Sequence, residues 1–330
     1  MTAPGAGGDG GDGDGGARPT GVLVMAHGTP ASPGDIPAFY TAIRRGRPPS
    51  AEQLAELEGR YAAIGGTSPL NEVTRAQVAG IAGALETRAP GRYVVAGGAK
   101  FAAPLIEEAA AGLVEAGVEK VIGLVLAPHS SVVSVGQYAE RAEKAVAAAV
   151  EADGVGSGPA VSFTMIDHWY EAPGFVAEMA ARVGAAVEAL EAGARGTTVV
   201  FTAHSVPTRV VVAGDSYPQQ LEQSARAVAE AAGIRDWSVG WQSAGRTDEQ
   251  WLGPDINVII RAIAGAGGAG VVVCPIGFVA DHLEVLYDVD IEARGTAVRS
   301  GLAFGRTASL NADPGFCAVL AEVVMAADGG

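Results

Sequence analysis

Val271-Val272-Val273-Cys274-Pro275-Ile276 runs into Gly277-Phe278-Val279-Ala280-Asp281-His282-Leu283-Glu284-Val285-Leu286-Tyr287-Asp288-Val289-Asp290-Ile291-Glu292, and the reading of this stretch decides the fold. Its first part is a continuous apolar run of strand length, the pattern of a strand buried on both faces in a parallel sheet. The part that follows sets Asp281, Glu284, Asp288, Asp290, Glu292 and His282 into an otherwise apolar segment. Read as a helix, it carries Glu284, Asp288 and Glu292 at i, i+4 and i+8, with Asp281 three residues before Glu284, so the acids form one stripe. Like charges four apart cost roughly 0.2 to 0.5 kcal/mol per pair on an exposed helix, and more where Leu283, Val285 and Leu286 draw it toward a core. A cation would relieve that cost; a solvated acidic face is the alternative. The position just past a strand's carboxyl end favours a ligand, because open α/β sheets bind ligands there.

The same grammar recurs on both sides. Gly21-Val22-Leu23-Val24-Met25-Ala26 is a buried-strand run that ends in His27-Gly28-Thr29-Pro30, and Thr198-Val199-Val200-Phe201-Thr202 ends in Ala203-His204-Ser205-Val206-Pro207. Further strands read at 93–96, 121–126, 161–166 and 237–242, alternating with helices at about 35–40, 51–63, 72–85, 104–116, from Tyr138, 173–192, 217–232, from Trp251, and 314–326. Strands alternating with helices predict an α/β fold with doubly wound parallel sheets. The echo of Ala26-His27 in Ala203-His204 predicts two Rossmann-like halves facing a central cleft. The organisation read here is a Gly/Asp-rich disordered tail over 1–19, a first domain over 20–155, a Gly-rich linker at 154–159, a second domain over 160–313 and a terminal helix over 314–330.

Composition excludes several classes. The 330 residues carry a net charge of −15, which argues against a nucleic-acid surface. Only Cys274 and Cys317 are present, too few for a disulfide framework or a four-thiolate cluster, which suits a reducing cytoplasm. No apolar run spans a bilayer, and Met1 to Arg18 lacks the basic start and apolar stretch of a signal peptide. There is no His-Glu-x-x-His, no Gly-x-Ser-x-Gly and no Gly-Lys-Ser, which removes common hydrolase and NTPase readings. What remains is a cleft of acids and histidines. His204 and Glu284 each follow a strand of the second half, where a neutral imidazole can ligate a divalent metal and a carboxylate can take protons. His129, His168 and His282 are assigned to packing or supporting roles. Arg44-Arg45-Gly46-Arg47 is a basic knot that binds an anion or pairs with surface carboxylates, and Gly65-Gly66-Thr67-Ser68 is a turn able to cradle a carboxylate or phosphate.

Taken in order, MAHGTP (25–30), RRGRPP (44–49), RYAAIGGTSPLNE (60–72), LAPHSSVVSVGQY (126–138), TAHSVP (202–207), SYPQQL (216–221), VGWQSAGRT (239–247), WLGPD (251–255) and GFVADHLEVLYD (277–288) closely resemble the ferrochelatase family, above all its soluble bacterial branch, the coproporphyrin III ferrochelatases. The resemblance covers the chain from Gly21 on. It implies insertion of Fe(II) into a tetrapyrrole held between two Rossmann-like domains, with iron and coproporphyrin III as substrates, no tightly bound cofactor, a cytoplasmic monomer and a transient hand-off of product to a later haem-pathway enzyme. By the same resemblance His204 and Glu284 meet iron at the macrocycle centre, Asp288 and Glu292 form an outer metal site or proton path, and Arg44, Arg60, Tyr61, Ser68 and Tyr138 hold the porphyrin. The chain departs from that pattern in two ways. His27 stands where the relatives place an iron-ligating tyrosine, and a histidine can also ligate haem iron. Two distant cysteines cannot supply the [2Fe-2S] cluster of many actinobacterial relatives, so none is expected. Protoporphyrin IX as substrate, a sirohydrochlorin chelatase and a non-catalytic haem carrier with His27 as axial ligand are the alternatives.

Overall fold

The structure is a computed structural model that describes residues 18–152, 161–190, 196–245 and 247–329. The linker read at 154–159 lies outside the described residues, as does the tail apart from Arg18 and Pro19.

Among the described residues, two four-stranded parallel sheets follow one plan. Strands β1 (Thr20–Ala26), β2 (Tyr93–Ala99), β3 (Lys120–Val125) and β4 (Ser162–Ile166) lie in the order β2-β1-β3-β4. Strands β5 (Thr197–His204), β6 (Trp237–Gln242), β7 (Gly270–Cys274) and β8 (Ala303–Arg306) lie in the order β6-β5-β7-β8. In each sheet the first strand is flanked by the second and the third, so the winding reverses there and a crevice opens past the carboxyl ends of β1 and β3, and of β5 and β7. The strands form because their runs can be buried on both faces: Val22 to Met25, Val199 to Phe201 and Val271 to Cys274 are sealed from solvent.

The helices are α1 (Ile36–Ile43), α2 (Ala51–Ala63), α3 (Leu70–Arg88), α4 (Ile106–Glu115), α5 (Val135–Ala152), α6 (Pro173–Glu188), α7 (Thr208–Val212), α8 (Tyr217–Ala231), α9 (Ile256–Gly265), α10 (Arg294–Arg299) and α11 (Pro314–Asp328). Their starts follow capping chemistry. Ser50 accepts from the Gln53 amide ahead of α2, and Asp313 accepts from the Gly315 and Phe316 amides ahead of α11. The helix expected from Trp251 begins instead at Ile256, because Asp255 accepts from the Asn257 amide and caps it there. The acidic segment is also not an α-helix. Val285–Ala293 is a π-helix, continued by α10.

The halves are fused through a shared core. Val22, Val24, Ile81 and Leu85 of the first half join Val199, Phe201 and Val272 of the second, with Phe316 and Leu320 of α11 in the same cluster. Asp215 staples the loop after β3 to the second half: its carboxylate accepts from Ser131 Oγ (2.7 Å), the Val132 amide (2.9 Å) and the Tyr217 amide (3.0 Å). Gln220 Oε1 accepts from the Ser130 amide at 2.8 Å beside it. Asp215→Ala leaves two of those amides without their acceptor in a buried place, so a loss of about 2 to 3 kcal/mol is expected in urea unfolding. An unchanged midpoint would mean that the staple is not holding the halves.

Candidate active site

His204 closes β5 and Glu284 follows β7, so the two reach one crevice from neighbouring strands of one sheet. Their approach depends on Gly277. A Cβ there would lie 2.4 Å from Ala203 Cβ and 2.9 Å from Ala203 Cα, so only glycine lets the chain leaving β7 pass this close to the end of β5. Asp281 then pins the turn, accepting from Ser309 Oγ (2.7 Å) and Asn311 Nδ2 (3.0 Å) and facing Arg306 at 3.3 Å. Gln242 Nε2 donates to the Glu284 carbonyl at 3.0 Å, and the Tyr217 hydroxyl donates to the His204 carbonyl at 3.2 Å.

Glu284 lies between two imidazoles. His204 Nε2 is 3.6 Å from Oε1, and His282 Nε2 is 3.7 Å from Oε2. The Nδ1 of His204 faces the Ser205 carbonyl at 2.5 Å and that of His282 faces the Ala280 carbonyl at 3.0 Å. A carbonyl only accepts, so Nδ1 carries the hydrogen and each neutral ring turns an Nε2 lone pair toward the carboxylate. His27 follows the same rule, with Nδ1 against the Gly28 carbonyl at 3.0 Å and Nε2 unbound. Lone pairs and a carboxylate do not bond to one another; a proton or a divalent cation would bridge them. Burial pushes the Glu284 carboxyl up, but positive charge on His204, then on His282 and His27, when a proton occupies those rings, outweighs it and holds the carboxyl at about 2, so it stays ionised as the rings protonate. Solvent touches the His27 ring, yet protein surrounds it in the cleft, and burial lowers its pKa. Among the described residues no three His, Cys, Asp or Glu side chains converge as a metal cage would. His204 and Glu284 are two donors whose coordination must be completed from the crevice.

From Glu284 the acids lead outward, to buried Asp288 and then to exposed Glu292. The π-helix closes its hydrogen bonds five residues apart, widening the turn that carries them, a distortion frequent at functional sites. The self-repulsion expected of the stripe is met residue by residue. Arg60 pairs with Asp288 and lies 4.8 Å over the Tyr287 ring, while Arg306 pairs with both Asp281 and Asp290. Ser243, held at φ 59° in the left-handed region, donates its hydroxyl to Asp288. Burial still raises the Asp288 pKa to about 6, against the pull of Arg60 and with a further push from Glu284. The guanidinium of Arg60, a residue expected to hold the porphyrin, is engaged with the acid line.

The first half supplies the cations. Arg44, Arg45 and Arg47 follow α1 with no carboxylate within ion-pair distance among the described residues. Arg44 lies 5.6 Å over the Tyr40 ring. Lys100, which the sequence reading passes over, follows β2, donates to Gln137 Oε1 at 2.9 Å and sits 4.6 Å over the Tyr138 ring. Burial, with Arg141 and Arg45 nearby, lowers its pKa to about 8. Tyr138 itself is a core residue beneath that lysine. Tyr61 is buried against Ile36 and Leu283, its hydroxyl 3.0 Å from Thr29 Oγ1, which ties α2 to the acidic segment. The Ser68 hydroxyl accepts from the Leu70 amide at 3.3 Å, just ahead of α3. His129 keeps the packing role expected of it: it stacks on Tyr170 at 5.5 Å, and burial pushes its pKa down to about 3. His282 takes the supporting position instead, because it touches Glu284. Nothing in its local spacing sets it apart; the turn built by Asp281 does.

The family model for ferrochelatase matches residues 19–328 of the chain. The coproporphyrin III ferrochelatase of Geobacillus thermodenitrificans (strain NG80-2) is 42% identical over 93% of this chain and 96% of its own length. That of Bacillus subtilis (strain 168) is 39% identical over 92% and 96%. A solved structure described as SirB from Bacillus subtilis with Fe3+ superposes with a TM-score of 0.54 at 10% identity, covering 94% of this chain and 95% of that one, which is a likeness of fold.

Proposed function

Since this chain belongs to the ferrochelatase family, we propose that it inserts Fe(II) into coproporphyrin III, giving the iron complex used in haem b synthesis and releasing two pyrrole protons. The observation that carries the reading is the pairing of the His204 Nε2 lone pair with an ionised Glu284 at 3.6 Å at the crevice of the second sheet. Two protein donors are enough to deliver iron and too few to keep it, since a stable site takes about four or more ligands; the macrocycle nitrogens supply the remainder. His204 accepts a pyrrole proton or meets the iron, and Glu284, Asp288 and Glu292 carry iron inward and protons outward. The cleft walls hold the porphyrin bent, with the strain offset by carboxylate contacts to Arg44, Arg45, Arg47 and Lys100. Tyr61, Ser68 and Tyr138 shape the porphyrin side, and Arg60 tunes Asp288.

No helix among the described residues is long and apolar enough to cross a membrane. The reading includes a cytoplasmic location, action as a monomer, since both halves of the site come from one chain, and passage of product to the next enzyme of the pathway. It includes no iron–sulfur cluster. Cys274 and Cys317 are both buried, and burial pushes the Cys274 thiol up to about 12, the reverse of what a thiolate ligand needs.

Two tests belong here. A carboxyl at about 6 loses its charge as pH falls through that value, so kcat/KM for iron should drop on the acid side with an apparent pKa near 6. Asp288→Asn should remove that inflection; an acid limb identical to wild type would take Asp288 off the route. The second concerns His27, whose free Nε2 reaches the crevice from the first half. His27→Ala should change the absorption spectrum of the product complex and the rate of product release while leaving metal insertion largely intact, and identical spectra would reduce His27 to a support for the Gly28 turn.

A further inference from the structure

Where the acid line surfaces, the protein changes sign locally. Asn257 and Arg261 of α9, Ile291 and Glu292 of the π-helix, and Thr296 and Arg299 of α10 line an open groove of 430 Å3, in the size range of small-molecule sites. In a chain of net charge −15, neither Arg261 nor Arg299 has a carboxylate within ion-pair distance among the described residues. The groove's internal hydrogen bonds consume its neutral acceptors. Arg299 donates to Thr296 Oγ1 at 3.3 Å, so that hydroxyl turns its own hydrogen to Asn257 Oδ1 at 2.7 Å. What is left over is a set of donors, namely the Arg261 guanidinium, the Asn257 amide NH2 and the remaining Arg299 N–H groups, set beside a single carboxylate, Glu292.

Donors of this kind draw a carboxylate-bearing anion, and Glu292 draws a cation. A small metal polycarboxylate is both at once. We propose that iron reaches this groove as a small Fe(II) polycarboxylate chelate, held through its carboxylates by Arg261, Arg299 and Asn257 while Glu292 takes the metal. In the exchange one Fe–O bond to the chelate breaks as one to Glu292 forms. Iron stays Fe(II), and the displaced carboxylate remains an anion against the arginines. The inference rests on reading Glu292, Asp288 and Glu284 as the iron route.

The test supplies Fe(II) anaerobically to the full-length protein and coproporphyrin III in two forms, as the aquo ion in a non-coordinating buffer and as its citrate chelate. The double variant Arg261→Gln/Arg299→Gln is expected to raise KM for citrate-borne iron about tenfold, the loss of about one charge-assisted contact, with kcat and the aquo-ion KM unchanged. Arg261→Lys/Arg299→Lys should recover part of the loss. Equal shifts for both iron forms, or none, overturn the proposal. Calorimetric binding of Zn(II) citrate to the porphyrin-free protein, weakened in the double variant, decides the groove independently of turnover; equal binding overturns it too. Wild-type protein that metallates with neither iron form overturns the ferrochelatase reading instead.

Discussion

Glu284→Gln should lose nearly all metallation, by about a thousandfold or more, while the variant still binds porphyrin and melts close to wild type. The size follows from the chemistry. Glu284 is the ionised oxygen donor beside His204, and the neutral amide of Gln neither holds Fe(II) comparably nor carries a proton away; a lost general acid–base group alone removes about 10²- to 10⁴-fold. The small stability effect follows from the geometry. The contacts to His204 and His282 at 3.6 and 3.7 Å are longer than hydrogen bonds, so their loss costs about 1 kcal/mol or less. A folded carboxyl held below its ordinary value adds stability above about pH 4.5 that is lost as pH falls toward 2. The comparison of melting temperatures therefore belongs at neutral pH, well above that window. Activity lost only because the variant unfolds would remove Glu284 from the chemistry.

The substrate preference is the next largest effect expected. Coproporphyrin III carries four propionates and protoporphyrin IX two, and among the described residues four first-half cations have no carboxylate within ion-pair distance: Arg44, Arg45 and Arg47 just after α1, and half-buried Lys100. Each well-formed charge-assisted contact contributes about 1.5 to 3 kcal/mol, less where solvent screens it. Two extra contacts should then favour coproporphyrin III in kcat/KM by at least about tenfold. Arg44→Gln with Arg47→Gln should narrow the gap by raising KM for coproporphyrin III alone. A preference for protoporphyrin IX would transfer the chain to the branch that makes protohaem directly.

Much of this was legible in the sequence for one physical reason. A strand buried on both faces must be a continuous apolar run, and the first polar group beyond it must stand at the sheet's carboxyl edge. Val22 to Met25 announces His27 in this way, Val199 to Thr202 announces His204, and Val271 to Cys274 announces the segment of Glu284. Strand β8 escaped because an edge strand of four half-buried residues ending in Arg306 has no such run. The π-helix escaped because acids four apart align on an α-turn and on a wider one alike. Most of what tunes the site is non-local. Arg60 and Asp288 are 228 residues apart, and no spacing rule pairs them. Arg306 neutralises Asp281 and Asp290 from β8, the strand that went unread. Lys100 is a single lysine after a Gly-rich strand end, and only the fold sets it over Tyr138 beneath the arginine knot.

The central claim is that this crevice metallates a porphyrin rather than merely holding one. Apo-protein mixed anaerobically with a many-fold excess of Fe(II) and coproporphyrin III, followed by the loss of free-base porphyrin bands, tests it most directly. The expected result is many turnovers per protein for wild type, and porphyrin binding without turnover for His204→Ala. A wild-type protein that binds one equivalent of porphyrin and converts none, or a His204→Ala variant that turns over like wild type, would contradict it.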